Sequence, residues 1–193
     1  MPRFALLALP VLLIVLSACQ PSAESELLTA TDSNESDKKQ TSCPAGDEPV
    51  LRGQLHGAIA GPLNTSTATT HCEGMSRPDA RGVRLRFKTT LPTADDALVI
   101  ILGIDRVARG DTGEGIRTTV TLIDEREQRF FSNGEQNSCF SDIDQHQVAS
   151  DQRESLLSGV VWCTAGVPAL TGTESVRLTD LRFRGTVQWR DAS

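Results

Sequence analysis

Between Leu181 and Arg190 the chain changes character at every residue. Leu181, Phe183, Gly185, Val187 and Trp189 alternate with Arg182, Arg184, Thr186, Gln188 and Arg190. A repeat of two belongs to an extended strand with one face on a core and the other in water, and a helix with 3.6 residues per turn cannot satisfy it. The pattern recurs. Val83, Leu85 and Phe87 alternate with Arg84, Arg86 and Lys88, and Ile116, Thr118, Val120 and Leu122 alternate with Arg117, Thr119 and Thr121. Residues 97–104 are apolar at nearly every position, which reads as a central strand covered on both faces. Residues 50–59 and 158–164 read as further strands, and 173–178 as a short one paired with 181–189. Residues 122–131 read as a hairpin turning at their charged centre. Residues 72–78, holding Gly74 and Pro78, read as a turn-rich loop. Only 143–157 has helical character. Short strands, frequent turn residues and no βαβ rhythm predict an all-β domain, an antiparallel β-sandwich with a jelly roll as one candidate arrangement.

Composition bounds the function. The chain has 193 residues, 38% apolar and 23% charged, which suits one globular domain. Its formal net charge is −6, a poor start for nucleic-acid binding, which depends on neutralising many phosphates. Aromatic residues make up 4% and Tyr is absent, which argues against base-stacking platforms.

The N-terminus carries the most specific motif. Arg3 precedes an apolar run over residues 4–16. Thirteen helical residues span roughly 20 Å at about 1.5 Å each, short of the ~30 Å hydrocarbon core, so the run reads as a signal-peptide core. Leu16-Ser17-Ala18-Cys19 follows. This resembles the lipobox of bacterial lipoprotein precursors. The resemblance covers residues 1–19 and implies removal of the signal peptide, residues 1–18, and lipidation of Cys19 by diacylglycerol and palmitate-type acyl chains. Two or more such chains anchor stably, whereas one holds weakly. In that family an Asp after the Cys retains the protein in the inner membrane. Gln20 stands there instead, which implies the periplasmic face of the outer membrane. Residues 19–42 read as a lipidated tether, rich in Ser, Thr and acids, that cannot bury enough surface to offset the entropy of ordering. The globular domain is expected over 43–193.

Cys43, Cys72, Cys139 and Cys163 remain. Four is even, and an exported domain meets an oxidising compartment, so two disulfides are expected. Three connectivities exist. Sequential pairing, Cys43–Cys72 with Cys139–Cys163, suits a hairpin-rich domain best. No Cys-x-x-Cys occurs, which argues against zinc.

Catalytic motifs are scarce in the chain. The chain has no Gly-x-Ser-x-Gly elbow, no His-Glu-x-x-His, no P-loop and no dinucleotide fingerprint. Asp111-Thr112-Gly113 matches the aspartic-protease triplet but lacks the apolar strand and second carboxylate that chemistry needs. His56, His71 and His146 stand at no spacing that marks a triad. Asp105, Asp111 and Glu114 share a glycine-rich loop, an oxygen set that a structural Ca²⁺ would need to supplement; a turn-rich connection is the default and no other cofactor is expected. The sharpest feature is basic. Arg84, Arg86 and Lys88 project from one strand and Arg182, Arg184 and Arg190 from another. On a shared sheet they would form a cationic face on an acidic protein, suited to phosphate or carboxylate; the ordinary alternative is pairing with acids on neighbouring strands. The expected function is a lipid-anchored periplasmic binding or envelope-structural module with an anionic envelope component or a protein as partner. An envelope hydrolase using carboxylates is the alternative, with catalysis the less favoured.

Overall fold

A computed structural model describes residues 43–78, 81–91, 94–134 and 136–190, excluding the side chains of 94–96. The expected signal peptide, Cys19 and the tether lie outside the described residues. Eleven strands and no helix occur among the described residues. The all-β antiparallel fold is therefore present, and so are both disulfides, Cys43–Cys72 and Cys139–Cys163.

The strands are β1 (Leu51–Gly57), β2 (Gly61–Thr65), β3 (Thr70–Ser76), β4 (Gly82–Leu91), β5 (Ala94–Asp105), β6 (Gly113–Asp124), β7 (Arg129–Ser132), β8 (Cys139–Val148), β9 (Glu154–Cys163), β10 (Val167–Pro168) and β11 (Ser175–Gln188). They run in the order β2-β1-β11-β3-β4-β5-β6-β8-β9, and β9 pairs again with β11. The sheet thus folds over on itself, and its two layers share strands at their borders. β11 belongs to both. Residues 176–183 pair with β1, while 181–188 pair with β9. The return to β3 is one parallel pairing, Gln188 to Met75. The β9–β11 pairing closes the ring from β11 through β3 to β9, whereas β2, paired only with β1, stays at an edge.

The alternation does what its period demands. Val83, Leu85 and Phe87 point inward from β4, Val120 and Leu122 from β6, and Leu181, Phe183 and Val187 from β11. They join one buried cluster with Leu51, Leu55, Ile100, Leu102, Leu157 and Val161. On β5 the outward Val99 is also only 1% exposed, between Lys88 and Ile123 of the adjacent strands. Each fully buried aliphatic or Phe side chain contributes about 1.5–3 kcal/mol.

The turn between β6 and β7 falls at residues 125–128, three of them charged, as expected. It is held by Asp124, which is buried. Its Oδ1 accepts the Glu127 N–H at 3.1 Å, and its Oδ2 accepts Arg129 Nη2 at 2.7 Å and Nε at 3.2 Å. Burial pushes the carboxyl pKa up, but the Arg129 hydrogen bonds and charge and the turn amides outweigh it and hold the group below its ordinary value.

Three expectations are corrected. Residues 143–157 are not helical. They form the β8–β9 hairpin, in which Cys139 faces Cys163 directly. Residues 173–178 and 181–189 are not two strands paired with each other but parts of one strand, β11. A bulge at Asp180, where φ is 50°, shifts the inward positions from Val176 and Leu178 to Leu181 and Phe183. Residues 72–76 are strand, not loop. Gly74 is needed there because β11 comes so close that a Cβ would lie 2.0 Å from the Thr186 carbonyl oxygen.

Candidate functional site

Two bulges frame a groove on the outer surface. The first is at Asp180 on β11, opposite Gly53 of β1, whose Cβ would meet the Leu181 backbone at 2.9 Å. The second is on β8. Ile143 pairs with Gly159 and Gln145 with Ser158, leaving Asp144 as the extra residue. Gly159 admits that bulge, since a Cβ would lie 2.2 Å from the Asp142 carbonyl oxygen. Bulges re-aim side chains and recur beside functional sites.

Between them lies an open hollow of about 400 Å³ lined by Arg52, Arg182, Arg184, Glu48, Asp144 and Ser158, among others. Arg52 and Arg182 face each other across the β1–β11 ladder, and both are exposed. Among the described residues neither side chain has a hydrogen bond or an ion pair. A second hollow, beside Gly53, Asn64 and Asp180, is lined by the same two arginines. Arg184 is mostly buried, and its Nη1 lies 3.1 Å from Glu48 Oε2. That nitrogen is out of contact with water and has no hydrogen bond of good geometry. Ser158 Oγ donates to Asp144 Oδ1 at 2.9 Å. The groove therefore offers three guanidinium groups against two carboxylates, and each carboxylate already has a protein partner.

The remaining basic residues are placed otherwise. Arg84, Arg86 and Lys88 do project outward from β4, which β3 separates from β11. Arg86 pairs with Glu73 at 3.0 Å and Lys88 with Glu125 at 2.7 Å. These two thus follow the ordinary pattern of an outer sheet face. The Arg190 amide donates to Ser76 Oγ at 3.1 Å, just beyond the end of β11. Of the basic residues singled out in the sequence, the groove gathers Arg182 and Arg184 and adds Arg52.

The three loop acids do not converge. Asp105 is paired with Arg77, the Asp111 carboxylate accepts the Ala108 N–H at 2.9 Å within its own turn, and Glu114 is exposed. Among the described residues no group of three His, Cys, Asp or Glu side chains is placed to hold a metal ion.

One contact imitates a nucleophile with its base. Ser155 Oγ lies 2.9 Å from His146 Nε2, and His146 Nδ1 lies 2.8 Å from the Asp111 carbonyl oxygen. Trp189 Nε1 donates to the same Ser155 Oγ at 2.8 Å. His146 stacks on Trp189, with Arg109 over the other ring of the pair at 5.5 Å from its centroid. Ser155 is only 2% exposed, and its oxygen is shared between His146 and Trp189. The set is a latch that pins the loop between β5 and β6 onto β8, β9 and the end of β11.

Compared with protein families, with curated proteins and with solved structures, the chain matches none.

Proposed function

We propose that this protein is a lipid-anchored binding module of the bacterial cell envelope, tethered through Cys19 on the periplasmic face of the outer membrane, with the arginine groove as its ligand site. Two features support the reading. Leu16-Ser17-Ala18-Cys19 behind an apolar run supplies the anchor. The groove supplies the binding surface, and the observation that carries it is the facing pair Arg52 and Arg182 without a carboxylate between them. Facing like charges across a ladder cost stability, and a chain with 25 acidic residues has ample means to neutralise them. Binding is favoured over hydrolysis because guanidinium groups outnumber carboxylates in the groove, with Glu48 beside Arg184 and Asp144 bound by Ser158.

The anchor is tested by metabolic labelling with radioactive palmitate. The wild type takes up label and sediments with membranes. Cys19→Ala does neither. Equal labelling of the two removes the anchor from the proposal.

A further inference from the structure

We infer that Arg52 and Arg182, backed by Arg184, form a receptor for one phosphoryl group. The inference deepens the binding-module reading of the groove and rests on it, but not on the lipid anchor.

The Cβ atoms of directly opposed residues in an antiparallel pair stand about 4.5–5.5 Å apart. Two guanidinium groups rooted so closely repel unless an anion lies between them. Their neighbours along the same row are neutral: Asn64 beyond Arg52 on β2 and Val160 beyond Arg182 on β9. The acids bordering the two hollows are Glu48, Asp144 and Asp180. Glu48 is at Arg184 and Asp144 is bound by Ser158. Asp180 is the bulge residue itself, and no hydrogen bond or ion pair joins it to either arginine. The contrast with β4 is instructive, since Arg86 and Lys88 on the same sheet each have a carboxylate within 3.0 Å.

The donor set selects the ligand. A planar carboxylate is satisfied by one guanidinium fork, whereas a phosphoryl group presents three oxygens and accepts from two or three. Two unpaired arginines facing each other, with Arg184 beside them at Glu48, therefore match phosphate better than carboxylate. The pair borders both hollows, so a phosphoryl group carried on a larger molecule can sit between the arginines while its substituent extends to either side.

The test uses the purified full chain in uncharged detergent and low-salt buffer, with thermal unfolding and titration calorimetry. Inorganic phosphate is expected to raise the melting temperature more than acetate or chloride at equal ionic strength. Arg52→Gln and Arg182→Gln are expected to weaken phosphate binding at least ten-fold. Without phosphate they should melt no lower than the wild type, because each removes a repulsion. That result separates loss of a site from loss of fold. Arg177→Gln, on the same strand, should bind phosphate as the wild type does. Glycerol 3-phosphate and short-chain phosphatidate then distinguish the source. Ten-fold tighter binding of phosphatidate assigns the group to a lipid, and equal affinity assigns it to a soluble or glycan phosphate. Acetate or chloride matching phosphate would overturn the inference, as would unchanged phosphate affinity in both Arg52→Gln and Arg182→Gln. Failure of palmitate labelling would count against the anchor and leave this result standing.

Discussion

Gly74 is where the closure of the sheet can be challenged by a single methyl group. A Cβ at this position would lie 2.0 Å from the Thr186 carbonyl oxygen and 2.8 Å from Leu85 Cδ2. Side chains yield to such contacts, but backbone in a paired strand does not. β3 would have to retreat from β11 by about 1 Å, next to the one pairing that joins them. Overpacking usually costs about 1–3 kcal/mol, and a backbone clash belongs at the top of that range. Ala regains roughly 0.5–1 kcal/mol of the Gly penalty in a strand, so the net loss for Gly74→Ala is about 2–2.5 kcal/mol. For a domain of this size that lowers the melting temperature by roughly 4–10 °C. Gly185 provides the internal comparison. Its Cβ would meet only the Leu85 side chain, at 2.8–3.4 Å. Leu85→Val should therefore abolish most of the cost of Gly185→Ala and leave most of that of Gly74→Ala. Urea unfolding of the three single and two double variants forms the necessary cycles. If Gly74→Ala unfolds within 1 kcal/mol of the wild type, or is rescued by Leu85→Val as fully as Gly185→Ala is, then β3 and β11 do not meet as described.

Two further outcomes follow from contacts of the fold. Arg129→Ala removes two hydrogen bonds from the buried Asp124 carboxylate and should destabilise by about 2–3 kcal/mol at neutral pH. Because the folded state holds the Asp124 pKa below its ordinary value, the stability this pair contributes is present above the unfolded pKa of about 3.9 and is lost as pH falls through the lower folded value. The gap between variant and wild type should therefore shrink in acid melts, and a gap independent of pH would contradict the assignment. Replacing Cys139 and Cys163 by Ser opens a loop spanning 24 residues and should cost about 3.5 kcal/mol by loop-closure entropy. A melting temperature unchanged by reductant in the wild type would contradict a structural role for the crosslinks.

Much of the architecture is legible in the residues because a repeat of two has one structural meaning. The inward rows of β4, β6 and the second half of β11 follow directly from it, and the spacing of the cysteines suits the pairing observed. Bulges hide the rest. At Asp180 the inward positions change from even to odd numbers, so one strand reads as two. At Asp144 the alternation of β8 breaks in the same way. The outward Asp144, Gln145 and Gln147 that follow then give 143–157 a spurious helical look. Gly74 suggests a turn when its real cause is the approach of a strand more than a hundred residues away. The groove suffers from the same distance. Arg182 and Arg184 are marked by their own strand, but Arg52 gains meaning only through its register with Arg182, which no local pattern contains.

The proposal that the groove holds an anionic ligand in the envelope is tested most directly by arginine footprinting with phenylglyoxal. Membranes carrying the protein are compared with the purified full chain, and modification is read by mass spectrometry. Arg52 and Arg182 are expected to react markedly more slowly in membranes than after purification, with Arg177 reacting equally in both. Equal rates for all three arginines in both preparations would contradict the binding function assigned to the groove.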